Sequence, residues 1–477
     1  MTDPLSLLPL AVAAGGGRID GLEAARVVAA GLTLLQRSPA LVRALNGRRA
    51  AILLPTSHQF FTALAAAEGR GAVLVNPLAA PAEIAYQLTD ANVGAAFTNR
   101  ALAARLPAGL TTALLDDSPR SATVIAADGT TATVDLGSHF GIRLDGEPGV
   151  PGSDDEVAIV YTSAMAGTAL GAILSHRNLL ANARSTVEAA EIGAGDHALA
   201  VLPFAHLFGL TVTGVTPLLV GGEVTTMERF NPVRALETME TAGVTLFVGV
   251  PAVFVAMLSA IERRGGRLNA DALRVCICGG AELAVEVQDR WFDATGVELR
   301  QGYGLTEAAP VCLFNRLSLP NRRGTLGVSL PDVHVEIQDP ATGAPVPNGT
   351  EGEICVRGDN VFRGYVNGGD QGLPVRGGWL HTGDRGVQGV DHAVAFTGLL
   401  KPMFTRSGFN VYPREIERVL REMPGVRAAR VRGVPDPVRE HEIAVEVDGH
   451  VTEPAVKSWC ESRLSAYKQP GEITIRP

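Results

Sequence analysis

Lysine is almost missing from this sequence. Of 41 basic residues in the 477-residue chain only Lys401, Lys457 and Lys468 are lysines, so any chemistry that needs an amine must draw on the C-terminal end. Cysteine is sparse too. Cys276, Cys278, Cys312, Cys355 and Cys460 are an odd number, and their spacing fits neither a disulfide framework nor a zinc ligand set, which points to a reducing cytoplasm. There is no basic run and the net charge is −9, which argues against a general nucleic-acid binder, because a phosphate backbone rewards clustered Lys and Arg. Long hydrophobic runs are lacking as well. The apolar stretch 5–14 is far too short for a bilayer and follows Asp3 instead of a basic region, so it reads as the first helix of the fold, with no membrane role. What is present is an ordinary globular profile, 46% hydrophobic and 19% charged, with Gly and Pro dispersed and no internal repeat. The length suits two or three domains around a large core, and small molecules or a protein are the expected partners.

The N-terminal part alternates strand-like and helix-like segments: 49–55 as a buried strand, 58–70 as a helix, 72–76 as the next strand. Short β-rich runs recur at 198–202, 245–250 and 274–278. This rhythm predicts an α/β protein with parallel sheets covered by helices, whose ligands bind at the carboxyl ends of the strands. After about residue 322 the pattern becomes turn-rich β structure, and from Gly398 a compact tail follows: helix 413–422, strands 426–434 and 443–447, helix 453–464. The predicted architecture is a large domain 1–397, with a β-rich part at 322–397, and a small α+β domain 398–477 in the role of a truncated lid.

Six segments carry the chemistry. Residues 161–178 (YTSAMAGTALGAILSHRN) lie between a predicted strand, 157–160, and a predicted helix, 178–189, where a loop can aim backbone N–H groups at phosphate. The others are 203–209 (PFAHLFG), 278–282 (CGGAE), 301–307 (QGYGLTE), 379–384 (WLHTGD) and 408–417 (GFNVYPREIE). In this order and spacing the set resembles the adenylate-forming family of acyl-CoA synthetases, peptide-synthetase adenylation domains and luciferases, over nearly the whole chain. The resemblance implies a two-step reaction in which a carboxylate attacks ATP to give an acyl-adenylate and a thiol or amine then takes the acyl group, with the small domain rotating between the steps. It also implies roles. Tyr303 would lie on adenine, Thr306 on the α-phosphate, Glu307 on Mg²⁺ and Asp384 on the ribose, with Ser163, Gly167, Gly280, Ala281 and Gly304 completing the nucleotide site. A hard carboxylate oxygen suits Mg²⁺ shared with phosphate. Phe204, Val250, Cys278, Gly279 and Gly408 would line the acyl pocket and thiol channel. His206 would act as a general base, its ordinary pKa lying near working pH, or pack as an aromatic neighbour of Phe204 and Phe208. Cys278 reads as a buried strand residue before a nucleophile, and His176 as structural.

The departures from the family pattern are equally specific. Ala164, Met165 and Ala166 stand where its phosphate loop has Gly and two hydroxyl residues, and Leu170 where it has Lys. Each charged hydrogen bond so lost is worth about 1.5–3 kcal/mol. Leu399 replaces the ribose-binding Arg, and Pro402 the hinge Asp, where a fixed φ would hinder a swing of the small domain. The family's catalytic lysine follows a Tyr-Lys-x-Pro segment at some distance. Residues 467–470 match that segment and the chain stops at Pro477, so the lysine is expected to have no position here, and Lys468 is expected to be solvated or structural. These departures favour an enzyme with impaired adenylation and weak use of AMP or ATP with Mg²⁺. It would handle an already activated acyl group, as a CoA or phosphopantetheine thioester, an acyl-carrier protein or an acyl-adenylate, for transfer, condensation or cyclisation. The alternatives are a working ATP-dependent acyl-CoA or acyl-carrier-protein ligase and a non-catalytic binding protein.

Overall fold

The structure is a computed structural model that describes residues 7–67, 71–116, 118–137, 154–162, 169–368, 374–400, 403–436 and 438–476. Ser163, Gly167, Lys401 and Pro402 therefore lie outside the described residues, and with them most of the expected phosphate loop and the hinge.

Among the described residues two nine-stranded sheets dominate the large domain. One runs through Leu246–Gly249, Val275–Cys278 and Leu299–Gly304, paired in parallel so that Gly249, Cys278 and Gln301 are neighbours at their carboxyl ends. The other carries Arg49–Leu53, Ala72–Leu74 and Glu156–Thr162, again parallel. Arg49–Leu53 shows why its apolar run does not alternate. Ala50 and Ile52 enter the main core while Ala51 and Leu53 face a second core beneath helix Pro81–Asp90, so both faces of the strand are buried.

One local expectation fails. Between the 163–168 stretch and helix His176–Ala189 lies a strand, Leu170–Ser175, antiparallel to Glu156–Thr162 with Leu170 opposite Thr162. The helix N-terminus is therefore a strand's length away from Leu170, capped by Ser175 and Asn178 in a reciprocal capping box. The helix begins two residues earlier than expected because Ser175 supplies that cap. His176 is structural, as its sequence suggested: it is 1% exposed, and its Nδ1 accepts a hydrogen bond from Leu8 N at 3.0 Å.

Burial lowers the His176 imidazole from 6.5 to about 4. Between those pH values the unfolded chain takes up a proton that the folded chain refuses, so this residue's stabilising effect is full above about pH 6.5 and is lost as pH falls toward 4. The loss amounts to about 3 kcal/mol. Denaturant midpoints should fall across that range, and His176→Gln should flatten the slope by about one proton.

A third sheet, built on His334–Gln338, Glu351–Arg357, Trp379–Gln388 and Val394–Leu399, forms the β-rich part. The smaller C-terminal domain has its own core of Val411, Ile416, Leu420, Ile443, Val445 and Val456. Its helices are Pro413–Arg421 and Glu453–Glu461. The expected strands lengthen to Val426–Asp436 and Glu440–Gly449, and a last strand, Glu472–Arg476, joins the second of them in parallel.

Candidate functional site

The carboxyl ends of both parallel arrays open on one cavity of about 1830 Å³, closed on its remaining side by the C-terminal domain. The strand Leu299–Gly304 ends there and turns into the single 3₁₀ turn Thr306–Ala308, which brings Tyr303, Thr306 and Glu307 to the wall together. Tyr303 Oη donates to Asp384 Oδ2 at 2.6 Å. Burial and the Asp384 carboxylate push the Tyr303 phenol well above its usual pKa, so it stays protonated and donates. The loop bearing Asp384 is fixed from behind by Glu353, which accepts from Gly383 N at 2.8 Å through one oxygen and meets His381 Nδ1 at 2.8 Å through the other.

Cys355 Sγ lies 3.5 Å from the same His381 nitrogen. Among the described residues Glu353, Cys355 and His381 are the one cluster with metal-ligand atoms close together. The Glu353–His381 hydrogen bond accounts for that approach, and burial raises the Cys355 thiol to about 12, so it remains protonated.

Glu307 Oε1 accepts from Tyr365 Oη at 2.9 Å and Thr162 Oγ1 at 3.2 Å. Both bonds fall on one oxygen, and Oε2 has no hydrogen-bond partner among the described residues. A carboxylate held in this way suits Mg²⁺, which keeps most of its shell for water and phosphate and needs one or two protein carboxylates.

At the opposite end, His206 Nε2 lies 3.1 Å from Asn76 Nδ2. With the amide donating, Nε2 is the acceptor and the ring proton sits on Nδ1. Burial lowers His206 to about 4, so it is neutral at pH 7. Its ring is 5.3 Å from that of Phe409, which stacks on Tyr467 at 4.5 Å. The neighbouring Gly408 has φ +78, and a Cβ there would come within 2.8 Å of the Val250 side chain. Only glycine combines that backbone with that approach. Gly408→Ala should push the loop off Val250 and loosen the contact between the two domains, and a rise in proteolytic cleavage within the C-terminal domain of at least threefold would measure this.

The structure thus brings His206, Val250, Gly280, Ala281, Tyr303, Gly304, Thr306, Glu307, Asp384 and Gly408 to one cavity. It does not bring Phe204 or Cys278 there. Phe204 is 1% exposed and packs edge-on against Phe60 and Phe61, and Cys278 is fully buried, with its thiol pushed well above its usual pKa by burial. Cys278 ends a fully buried strand, and the turn that carries Phe204 places its ring in the core. Gly279 borders a smaller apolar recess instead. Leu170 and Leu399 line the main cavity and bring no charge to it.

Lys468 also reaches the cavity wall but is 5% exposed, held by Glu415 Oε1 at 2.7 Å and Glu83 Oε1 at 3.0 Å. Burial alone would lower its pKa. Tyr467, Glu415 and Glu83 outweigh that effect and raise it, so the ammonium is charged but committed. Glu83 belongs to the large domain and also accepts from Ala80 N at the start of helix Pro81–Asp90, so it holds the two domains together. Sequence reasoning missed Asn76, Glu83, Thr162, Glu353 and Tyr365. Glu83 carried a visible signal, an acid in the first turn of a helix opened by Pro81, but that signal reads as capping alone.

Two carboxylates and a phenol, Glu307, Asp384 and Tyr303, thus face the glycine loop of the C-terminal domain across one cavity. The sequence matches the AMP-binding enzyme family over residues 34–366, and the chain belongs to that family. It is 35% identical over 337 residues to a feruloyl-CoA synthase from Amycolatopsis sp, covering 69% of this chain and 68% of that protein. To 4-coumarate–CoA ligase 5 of Oryza sativa subsp. japonica it is 31% identical over 476 residues, covering 95% and 84%. Among solved structures, an amide bond synthetase from Marinactinospora thermotolerans superposes with a TM-score of 0.82 at 25% identity, over 98% of this chain and 95% of that one.

Proposed function

We propose that the protein is an ATP-dependent carboxylate–CoA ligase that passes through an acyl-adenylate. The observation that carries this reading is the convergence of Tyr303, Thr306, Glu307 and Asp384 with the His206–Gly408 face on one cavity, so that nucleotide, acyl group and thiol can meet. The activities named for the relatives support it. Asp384 would bind the ribose hydroxyls, Tyr303 would pack on adenine and Thr306 would donate to the α-phosphate. Glu307 would hold Mg²⁺, which when bound would neutralise phosphate charge. Val250 and Gly408 would border the thiol's path. We place the domain boundary at 397/398 and the protein in the cytoplasm, with a carboxylic acid and CoA as substrates. An acyl carrier protein would offer the same thiol chemistry. Incubation with ATP, Mg²⁺, CoA and a panel of acids, read by mass for thioesters, tests the reading; no thioester from any acid would refute it.

A second reading, impaired adenylation with an acyl group supplied already activated, is favoured by Leu170 and Leu399 on the cavity wall. Both readings share one expectation: affinity for nucleotide resides in adenine and ribose contacts. Calorimetry should show ATP no more than tenfold tighter than AMP, and Leu170→Lys alone should leave pyrophosphate exchange within threefold, because groups that act as a unit do not restore function singly. Acyl transfer from thioesters in the absence of ATP would favour the second reading.

A further inference from the structure

Behind Tyr303 lies a recess of about 60 Å³ that shares Phe208, Gly280, Gly302 and Tyr303 with the main cavity. Phe208 and Val212 reach it from a π-helical segment, Phe208–Val215, while Ile277, Val311, Phe314 and Leu330 supply apolar walls. Among the described residues no charged side chain borders it. Thr186 Oγ1 is engaged with Asn182 O at 2.8 Å and the Tyr303 phenol with Asp384, so neither is at hand for a substrate. The recess exists because glycines border it on two adjacent strands, Gly279 just after Val275–Cys278 and Gly302 within Leu299–Gly304. A Cβ at Gly279 would stand 3.0 Å from Gly302 O and 3.1 Å from Phe208 Cζ, filling the gap.

We propose that this recess selects the acyl group and that the acid is a slim aliphatic one of a few carbons, straight or singly branched, without a hydroxyl or second carboxylate on its tail; this rests on the acyl-activating reading of the main cavity. Size is the first reason. An apolar cavity of about 150 Å³ accommodates benzene, so a recess less than half that volume admits a short chain and not a ring. Chemistry is the second. A tail hydroxyl would be buried without a partner, which weakens binding about tenfold or more, and a carboxylate would suffer far more.

The test uses non-reactive acyl-sulfamoyl adenosines carrying butanoyl, 3-methylbutanoyl, cinnamoyl, 4-hydroxycinnamoyl and succinyl groups, with Kd measured by calorimetry on the full chain. The aliphatic pair should bind at least tenfold more tightly than the other three. Phe208→Ala should bring the cinnamoyl analogue within threefold of butanoyl, and Gly279→Ala should weaken 3-methylbutanoyl at least tenfold. Equal or tighter binding of the aromatic or succinyl analogues to the natural chain would overturn the proposal, as would a failure of all five to bind more tightly than AMP. Tight aliphatic binding with no thioester formed from ATP, acid and CoA would instead leave the proposal standing and remove the ligase reading.

Discussion

Glu307→Gln should lower the rate of acyl-adenylate formation about 100-fold or more while leaving the melting temperature within about 2 °C. The carboxylate is preorganised: Tyr365 and Thr162 pin one oxygen, at 2.9 and 3.2 Å. A group fixed before the reaction stabilises developing phosphate charge without reorganisation, and losses of two to three orders of magnitude are usual when one such group is removed. Gln keeps the shape and the hydrogen bonds from Tyr365 and Thr162 but removes the charge that would hold Mg²⁺. Tyr365→Phe serves as the graded control. It takes away one hydrogen bond, worth about 1 kcal/mol, and should slow the reaction about fivefold. Pyrophosphate exchange with the best acid and varied Mg²⁺ measures both. A Glu307→Gln rate within threefold of the natural one would remove Glu307 from the proposed metal site.

Lys468→Met should lower the apparent melting temperature of the C-terminal domain by about 10 °C or more. The lysine is buried between Glu415 in its own domain and Glu83 in the large one. Removing one member of such a group leaves the remaining charges buried without their partner, which costs about 3–5 kcal/mol. That is a large fraction of the 5–15 kcal/mol that holds a typical protein folded. Glu83→Gln should be milder, since the Lys468–Glu415 pair survives, but it should loosen the domain contact and speed proteolytic cleavage near residues 398–404. If Lys468→Met melts within about 2 °C of the natural chain, the buried triad contributes little to stability.

The proposed nucleotide end of the site was legible because its residues are close in sequence. Tyr303, Thr306 and Glu307 fall on one strand end and one turn, so a local string specifies their common direction. Asp384 was legible through the Thr-Gly-Asp turn that exposes it. The partners that hold these groups were not. Tyr365, Thr162, Asn76 and Glu353 are ordinary residues whose partners lie far away along the chain, and nothing in their own neighbours marks them. Cys278 and Phe204 were drawn toward the site by closeness to Gly280 and His206, but Cys278 ends a fully buried strand, and Phe204, between the wall residues Pro203 and Ala205, turns into the core against Phe60 and Phe61. The strand Leu170–Ser175 was hidden for another reason: the glycines and small residues before it read as loop, and only pairing with Glu156–Thr162 makes an extended segment of it.

The sequence by itself determined the α/β class, the parallel strands and the separate C-terminal core. All of these follow from composition, from periodicity or from residues within one turn of each other. Only the tertiary structure decided that Lys468 is bound to Glu83 instead of solvated, that His206 is held neutral beside Asn76, that Gly408 must lie against Val250, and that the recess beside Gly279 is small and apolar. The physical reason is common to all four. Burial and pairing are properties of surfaces brought together from distant parts of the chain, and the pKa of a lysine or the volume of a pocket is set by neighbours that the local sequence does not contain.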